Sequence, residues 1–565
     1  MKFSEYAYTR PEIKEVQENA RRILSEMEGA SDGEGFVKAM DEYIALRNHV
    51  ETMFTLASIR QSIDTRDEFY DKEQAYMDEM MPHYQELVTD FYKVLISSPY
   101  RMDIETKHGK HLLDLAELSI KTFKPEIIEE LQLENRLCTE YSKLVASAAI
   151  MFRGEERNLS GLVPFMEDPD RATRKEAYEA YSGFFAAHEA EFDRIYDELV
   201  KTRDTIARKL GFENFVPVGY ARMLRTEYGP EMVKVYRDAV REHIVPLSVK
   251  LKERQARRLS LDSLKYYDEP VQFTSGNATP KGSPEWIVDN AKKMYSELSP
   301  ETDEFFKFMT EKELLDLVTK KGKQAGGYCT YISEYKSPFI FSNFNGTSGD
   351  IDVMTHEAGH AFQVFRSRGY EVPEYGFPTS EACEIHSMSM EFLTWPWMDL
   401  FFKEDTGKYK FNHLQDSLLF LPYGVSVDEF QHFVYENPGA TPLERKSKWR
   451  EIEKKYLPVR DYEDNDLYNR GGFFFKQLHI FVSPFYYIDY TLAQVCAFQF
   501  FNRAKEDRET AWKDYLRLCD KGGSMPFLEL VKVAGLKSPF EKETIPEVIP
   551  GIEEYLDSVD DMRLN

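Results

Sequence analysis

The chain has 565 residues, 42% of them hydrophobic and 30% charged, a composition typical of a globular protein with a large core. Its 72 Lys and Arg against 98 Asp and Glu give a formal net charge of −26, which repels phosphate backbones and argues against nucleic acid as a partner. The absence of a signal peptide, of an apolar run of about 18 residues and of paired cysteines predicts a cytoplasmic protein without a membrane segment.

Apolar residues recur at helical spacing through most of residues 1–200, which we assign to an N-terminal helical region. The predicted helices span 12–29, 35–60, 66–98 and 111–122. Near Gly154 the pattern changes to two short extended pieces joined by a turn. The sequence Asp168-Pro169-Asp170 is then expected to cap one long helix, from about 170 to 210, that would cross the molecule as a strut of about 60 Å.

Residues 201–565 are assigned to a second region that is also mainly helical. Helices are predicted over 222–260 and 285–322, and through most of the chain beyond residue 350. The exception is a pair of short strands at 326–332 and 338–344, bounded by glycine and proline. These patterns predict a mainly α fold with a small β-hairpin next to the helix that follows it.

That helix carries the pattern H-E-x-x-H, formed by His356, Glu357 and His360. Residues at i and i+4 share one face of a helix, so both imidazoles can bind one tetrahedral zinc. Glu357 lies between them and can reach a zinc-bound water without being a ligand. Zinc lowers the pKa of that water to about 7, and the carboxylate can take its proton as hydroxide attacks a carbonyl.

Features near this pattern support the same interpretation. Asp350 can cap the helix, and Asp352, one turn before His356, can accept a hydrogen bond from its ring. The hairpin just upstream can present an edge strand to an extended peptide. The alternative is a surface helix with two solvated histidines.

A catalytic zinc needs a third protein ligand. One class of zinc peptidases places a further histidine six residues after the second one, but that position is Arg366, which excludes the class. In the next helical segment Glu384 and Glu391 are seven residues apart and share a face. Glu384 is the better ligand and Glu391 a partner for a ligand histidine, whereas Glu381 and His386 are the rival ligands.

The segment 355–391 resembles the M3 family of zinc metallopeptidases. In that family the third ligand is a glutamate about 25 residues after the second histidine, with another glutamate seven residues on, and Glu384 and Glu391 match this arrangement. The stretch 152–177 resembles the oligoendopeptidase F branch, and the resemblance covers about 150–535. It implies one zinc ion per chain, with the ligands His356, His360 and Glu384.

The resemblance also implies a fold and further site residues. The fold is a large, almost all-α ellipsoid of the neurolysin type, divided by a deep channel that admits short peptides and excludes folded proteins. In the segment 479–490 the family carries a histidine followed by several tyrosines that contact substrate and stabilise the transition state. Besides the base Glu357, the implied residues are His479, Tyr486, Tyr487 and Tyr490, with the oxyanion donor left open among them.

Together these observations predict a zinc-dependent endopeptidase that cleaves oligopeptides and forms a monomer or a small homo-oligomer. Residues 201–565 are its predicted catalytic domain. An exopeptidase such as a dipeptidyl carboxypeptidase would need a cation fixed near the zinc to bind a terminal carboxylate, and the sequence alone does not place one. A non-catalytic peptide-binding helical protein is the rival from another class, but it would have no use for Glu357.

Overall fold

Six helices precede the first strand in the computed structural model, which describes residues 1–565. They are α1 (Ile13–Glu28), α2 (Gly33–Ile63), α3 (Glu68–Ser97), α4 (Arg101–His108), α5 (His111–Ile120) and α6 (Ile128–Ala146). Helices α1, α2, α3 and α5 confirm the four predicted from apolar spacing. Their apolar faces pack together into one buried cluster, which also includes Val372 and Tyr375 from far along the chain. The division of the chain at residue 200 stays a prediction.

The next segment begins with the predicted turn between two strands, β1 (Ile150–Phe152) and β2 (Glu155–Arg157), and continues through α7 (Leu159–Met166). The prediction of one long helix over 170–210 is wrong, because the chain forms α8 (Arg171–Ala187) and α9 (Glu189–Leu210). His188 separates them with φ −110° and ψ 16°, and its Nδ1 lies 2.9 Å from the Phe184 carbonyl oxygen. The ring thus binds a carbonyl at the end of α8.

Five helices and a π-helical segment follow. They are α10 (Phe215–Arg222), α11 (Pro230–Ala239), the π-helical segment Val240–Ile244, α12 (Val245–Arg258), α13 (Pro284–Leu298) and α14 (Pro300–Glu311). Helix α14 ends before the stretch 315–318, which the sequence pattern assigned to a helix. That assignment is wrong, because these residues form a strand of the only three-stranded sheet.

The three-stranded sheet consists of β3 (Leu315–Val318), β4 (Tyr328–Ile332) and β5 (Ser337–Phe344), in the order β3-β5-β4. Strands β4 and β5 are antiparallel and confirm the predicted hairpin. Strand β3 is parallel to β5 and pairs Leu315 with Ile340, a long-range contact that local periodicity does not reveal. Strand β4 has no strand on its outer side and is therefore an edge strand.

The remaining chain is helical. Its helices are α15 (Gly349–Ser367), α16 (Ser380–Leu393), α17 (Asp399–Phe402), α18 (Thr406–Glu436), α19 (Pro442–Tyr456), α20 (Asp466–Asn469), α21 (Leu478–Val482), α22 (Tyr487–Glu506), α23 (Arg508–Cys519), α24 (Phe527–Val533) and α25 (Thr544–Ser558). Helix α16 packs against both α15 and α22 and is almost wholly buried. None of the helices is both long and apolar enough to cross a lipid bilayer.

Helix α15 follows β5 directly, and its start differs from the prediction. Asp350 is not the N-cap, because Ser348 occupies that position. The Asp350 carboxylate instead accepts hydrogen bonds of 2.8 Å from the backbone N–H groups of Asn345 and Gly346. It therefore fixes the loop that joins the hairpin to α15.

Helices α15 and α16 touch through their backbones at Gly359. A Cβ atom placed on Gly359 would lie 2.7 Å from the His386 carbonyl oxygen and 2.7 Å from Ser387 Cα. Both atoms belong to the backbone of α16, so they cannot swing aside as a flexible side chain would. Only glycine permits this spacing between the two helices.

We expect Gly359→Ala to destabilise the protein by about 1–3 kcal/mol, as overpacking of a buried contact does. It should also weaken metal binding, because it separates the helices that carry the candidate ligands. Denaturant unfolding and metal titration measure the two effects. Gly369→Ala is the matched control, since no atom lies within 4 Å of its Cβ position. If both variants keep wild-type stability and metal affinity, the close approach at Gly359 is not required.

Candidate metal centre

Three side chains converge where α15 and α16 meet. His356 Nε2 lies 3.1 Å from Glu384 Oε2, and His360 Nε2 lies 3.3 Å from the same oxygen. Tetrahedral zinc with bonds of about 2.0–2.1 Å holds neighbouring donor atoms about 3.3 Å apart, so these spacings fit one ion. The three residues form the one group of His, Cys, Asp or Glu side chains in the chain whose donor atoms cluster tightly enough for a metal.

The site is closed on one side and open on the other. The Glu384 side chain is 2% exposed, whereas those of His356 and His360 are 20% and 11% exposed. The carboxylate is the most enclosed of the three ligands, and the partly exposed ring of His356 marks the side on which a further ligand can enter. Catalytic metal sites keep such an open position.

Further contacts orient the ligand side chains. His356 Nδ1 lies 2.7 Å from Glu391 Oε1, and the other oxygen of Glu391 lies 2.7 Å from His413 Nε2. Tyr486 donates a 2.8 Å hydrogen bond from its hydroxyl to Glu384 Oε1. The Nδ1 atom of His360 is buried without a partner in the protein, so packing rather than a hydrogen bond holds this ring.

The pKa values of the two carboxyl groups at the site, Glu357 and Glu384, are shifted in opposite directions. Burial opposes ionisation of Glu384, but the charge and hydrogen bonds of His360 and His356 outweigh it and hold its pKa well below the usual range. Burial raises the pKa of Glu357, and the two histidines only partly counteract it. Glu384 is therefore built to stay ionised, whereas Glu357 is a readier proton acceptor and donor.

Glu357 lies beside the cluster without joining it. Its Oε2 is buried and has no hydrogen-bond partner in the protein. Its Oε1 would be 3.6 Å from a Cβ atom on Gly327, an ordinary contact distance, so the chain just before β4 lies beside this carboxylate. An unpartnered buried oxygen is costly, and it marks a position where a water or a substrate atom can bind.

The predicted histidine and tyrosines lie on α21, on α22 and on the turn between them. His479 Nδ1 accepts a 2.9 Å hydrogen bond from the side-chain amide nitrogen of Gln477. The oxygen of the same side chain accepts a hydrogen bond from the Tyr423 hydroxyl. This network assigns the ring proton to Nε2, which lies 3.3 Å from the Tyr490 hydroxyl. Burial lowers the pKa of His479 to about 4, so the ring is neutral near pH 7 and presents an N–H donor.

Comparisons with known proteins identify the family of the chain. A model of peptidase family M3 matches residues 164–548, and a model of the peptidase M3 N-terminal domain matches residues 3–123. The chain belongs to peptidase family M3. The family match thus also includes the N-terminal helices, whereas the motifs in the sequence carried the resemblance only from about residue 150.

Individual relatives indicate the branch of the family to which the chain belongs. The structure of PZ peptidase A with an inhibitor is 60% identical, covers 99% of this chain and 100% of that chain, and has a TM-score of 0.98. The group B oligopeptidase PepB of Streptococcus agalactiae is 22% identical, with 93% of this chain and 89% of that protein covered. An oligoendopeptidase F homolog of Lactococcus lactis is 21% identical, with 93% and 91% covered. This M3 peptidase is a mainly α metalloendopeptidase of the oligoendopeptidase F branch.

The two rival ligands of the M3 peptidase, Glu381 and His386, lie outside the metal cluster. Glu381 is buried, and the positive charge of Arg225 partly offsets the rise in its pKa that burial causes. His386 is fully buried, and its Nδ1 lies 2.8 Å from the Ala382 carbonyl oxygen of the same helix. Neither side chain belongs to the group that can hold a metal.

Sequence reasoning misplaced one contact and missed another. The expected pairing of Asp352 with His356 is wrong, because Asp352 accepts a 2.7 Å hydrogen bond from the Tyr409 hydroxyl. His413, on α18, was not identified although it binds the same carboxylate as His356. Tyr409 and His413 are one turn apart and face α15 and α16, but only the fold brings these helices together.

A cavity of about 640 Å³ adjoins the edge strand β4. Its walls come from α2, α3, α6 and β4, and the residues of β4 that line it are Tyr328, Cys329 and Thr330. The cavity therefore lies between the N-terminal helices and the sheet that precedes α15.

The last predicted tyrosine, Tyr487, forms no side-chain hydrogen bond. The centre of its ring lies 5.0 Å from the centre of the His479 ring, so it packs against that histidine.

We expect Glu384→Ala to lose metal binding, and Glu381→Ala and His386→Ala to keep it. Removal of one of three protein ligands should lower metal affinity by more than the 10–100-fold typical of changes to their hydrogen-bond partners. Equilibrium dialysis against Zn²⁺ measures all three variants under one condition. The assignment fails if Glu381→Ala empties the site while Glu384→Ala remains loaded.

Proposed function

We propose that this M3 peptidase is a zinc-dependent endopeptidase that hydrolyses oligopeptides with Glu357 as general base. The observation that carries the proposal is the spacing of the His356, His360 and Glu384 donor atoms around one point, with an unpartnered carboxylate oxygen beside them. Two imidazoles and one carboxylate form a donor set that suits zinc in hydrolytic enzymes. Zinc held there would polarise a carbonyl oxygen and lower the pKa of a water to about 7.

In this proposal Glu357 handles the protons of the reaction. Its free Oε2 accepts a proton from the attacking water, and burial favours the protonated form that results. The same carboxyl group can then donate the proton to the leaving amine, which completes peptide-bond hydrolysis. A carboxylate already engaged in hydrogen bonds could not do this as readily.

The oxyanion of the tetrahedral intermediate needs preorganised donors. Neutral His479 offers its Nε2–H, and the hydroxyl group of Tyr490 lies 3.3 Å from that nitrogen. Tyr486 is a less suitable donor, because its hydroxyl hydrogen already binds Glu384. We assign the oxyanion contact to His479 and Tyr490, the orientation of Glu384 to Tyr486, and the packing of His479 to Tyr487.

An extended peptide fits beside β4. The strand offers unpaired backbone groups on its outer edge, and the 640 Å³ cavity next to it gives room for side chains. A folded protein would have to unfold locally to supply such a segment. The names of the relatives, an oligopeptidase and an oligoendopeptidase, fit substrates of this kind.

We expect Glu357→Gln to bind zinc with wild-type stoichiometry and to lose at least about three orders of magnitude in kcat. The amide has nearly the same shape as the carboxylate but cannot accept the proton, so the water is no longer activated. Zinc content and peptide hydrolysis followed by mass spectrometry measure the two properties. Glu381→Gln is the matched control on α16, away from the metal cluster, and should keep most of the activity.

The same assay tests the substrate class. A flexible peptide should be cleaved at an internal bond without chelator and not with it, and the same sequence inside a stable folded domain should resist. Comparable cleavage of the peptide by zinc-loaded Glu357→Gln would remove Glu357 as the base. Equal cleavage of the folded domain would contradict an enclosed site.

A further inference from the structure

A second cavity, of about 230 Å³, is lined by residues of α12, α18 and the chain between α19 and α21. Its lining includes five charged side chains from α12, α18 and the neighbouring loops. They are Lys252, Glu269, Asp416, Arg460 and Lys476. None of them takes part in the proposed mechanism.

Two of the three cations in this cavity have no ionic partner. Arg460 is neutralised by Glu269, with hydrogen bonds of 2.7 and 3.0 Å between the guanidinium and the carboxylate. The Lys252 ammonium donates only to the Gln255 side chain, at 3.2 Å. The Lys476 ammonium lies 4.0 Å from the centre of the Phe473 ring and forms no hydrogen bond. Asp416 is the one other acid in the lining, and it forms no ion pair.

The environment of Lys476 is that of an internal space that water can enter. Part of its side chain is exposed, but burial by the surrounding protein lowers the pKa of its ammonium group to about 8. Repulsion from Arg460 is the second cause of this lowering. Burial likewise lowers the pKa of Lys252. An anionic ligand would supply the ionic partner that both ammonium groups lack.

Two series of contacts connect the cavity with the metal centre. On one side, the ring of Phe473 lies 6.1 Å from that of Tyr423, Tyr423 lies 5.8 Å from Tyr487, and Tyr487 lies 5.0 Å from His479. These steps place the cavity wall within about 20 Å of His479, the reach of about six extended residues. On the other side, Asp416 is one helical turn from His413, which shares Glu391 with His356.

We infer that this cavity is a substrate subsite in which the positive charges of Lys252 and Lys476 attract a carboxylate group of the peptide, several residues from the bond that is cleaved. The inference rests on the proposed peptidase function. The carboxylate is either the C-terminus of a short peptide or the side chain of an internal Asp or Glu. Both present the same charge and the same acceptor oxygens, and a bound carboxylate would complete the charge pairing that the protein leaves open.

Matched peptides test this inference on the zinc-loaded enzyme. One pair has the same sequence with a free or an amidated C-terminus, and an amidated series carries a single Glu or Gln at successive positions. We expect kcat/KM to be at least about tenfold higher for one carboxylate-bearing partner, mainly through KM, as expected for a charge-assisted hydrogen bond. The pair that shows the preference identifies which carboxylate is bound.

Variants connect the preference to the two lysines. Lys476→Met and Lys252→Met should each reduce the preference to less than about threefold, mainly by raising KM for the carboxylate-bearing peptide. Lys454→Met, an exposed lysine on α19 without an ion pair, should retain it. Because Lys476 is exposed, its replacement should not disturb folding, which circular dichroism checks.

Three outcomes would overturn the inference. Equal kcat/KM within every pair of peptides cleaved by the wild-type enzyme would show that no carboxylate is recognised. The proposed peptidase function would be unaffected by that result. A preference for Lys over Met in an otherwise identical series would instead make Asp416 the recognition group. A carboxylate preference that survives both lysine variants would place the subsite elsewhere. Failure to cleave any of the peptides would instead contradict the proposed function itself.

Discussion

The close contact between α15 and α16 at Gly359 is the constraint on which the candidate site depends. The two backbones approach so closely that a methyl group on Gly359 would overlap the His386 carbonyl oxygen. At this separation the carboxylate of Glu384 lies against both imidazoles of α15. A wider spacing would separate this buried carboxylate from the two imidazoles that lower its pKa, which is costly. Helix packing and metal geometry are therefore fixed by the same few residues.

Buried charge extends outward from this contact in a connected network. Glu391 binds His356 and His413 together, and Tyr486, the residue just before α22, binds Glu384. Each link joins a different helix to α16, so the network fixes the relative positions of α15, α16, α18 and α22. Removal of one partner would leave the other buried and unsatisfied, and for this reason such networks are sensitive to single substitutions. Glu357 is the exception, since its free oxygen is available for chemistry.

The sequence contained most of the local structure and part of the site. Apolar periodicity was sufficient for α1, α2, α3 and α5, and the hairpin of β4 and β5 was visible from its composition and flanking glycines. His356, Glu357 and His360 follow from one motif, because a helix fixes the spacing of side chains four residues apart. Helical spacing and the family resemblance together favoured Glu384, which the structure places between the two histidines.

The features that the sequence did not reveal depend on contacts between distant residues. Strand β3 forms only because β5 accepts it, and the break at His188 depends on a side chain that binds the last turn of α8. The partnership of His413 with Glu391 and the cavity with Lys252 and Lys476 arise where α12, α16, α18 and a later loop meet. Apolar periodicity describes one helix or strand at a time and carries no information on contacts between elements that are distant in the sequence.

Zinc K-edge X-ray absorption of the zinc-loaded protein tests most directly the central claim that α15 and α16 supply the three ligands. The account predicts only nitrogen and oxygen neighbours at about 2.0–2.1 Å, with the outer-shell scattering of two imidazole rings. Cys383 immediately precedes Glu384 in the sequence, and Cys329 lies on β4. Thiolate ligands from these cysteines are therefore the nearest alternative. A sulfur neighbour at about 2.3 Å, or the scattering of only one imidazole, would contradict the assignment of His356, His360 and Glu384.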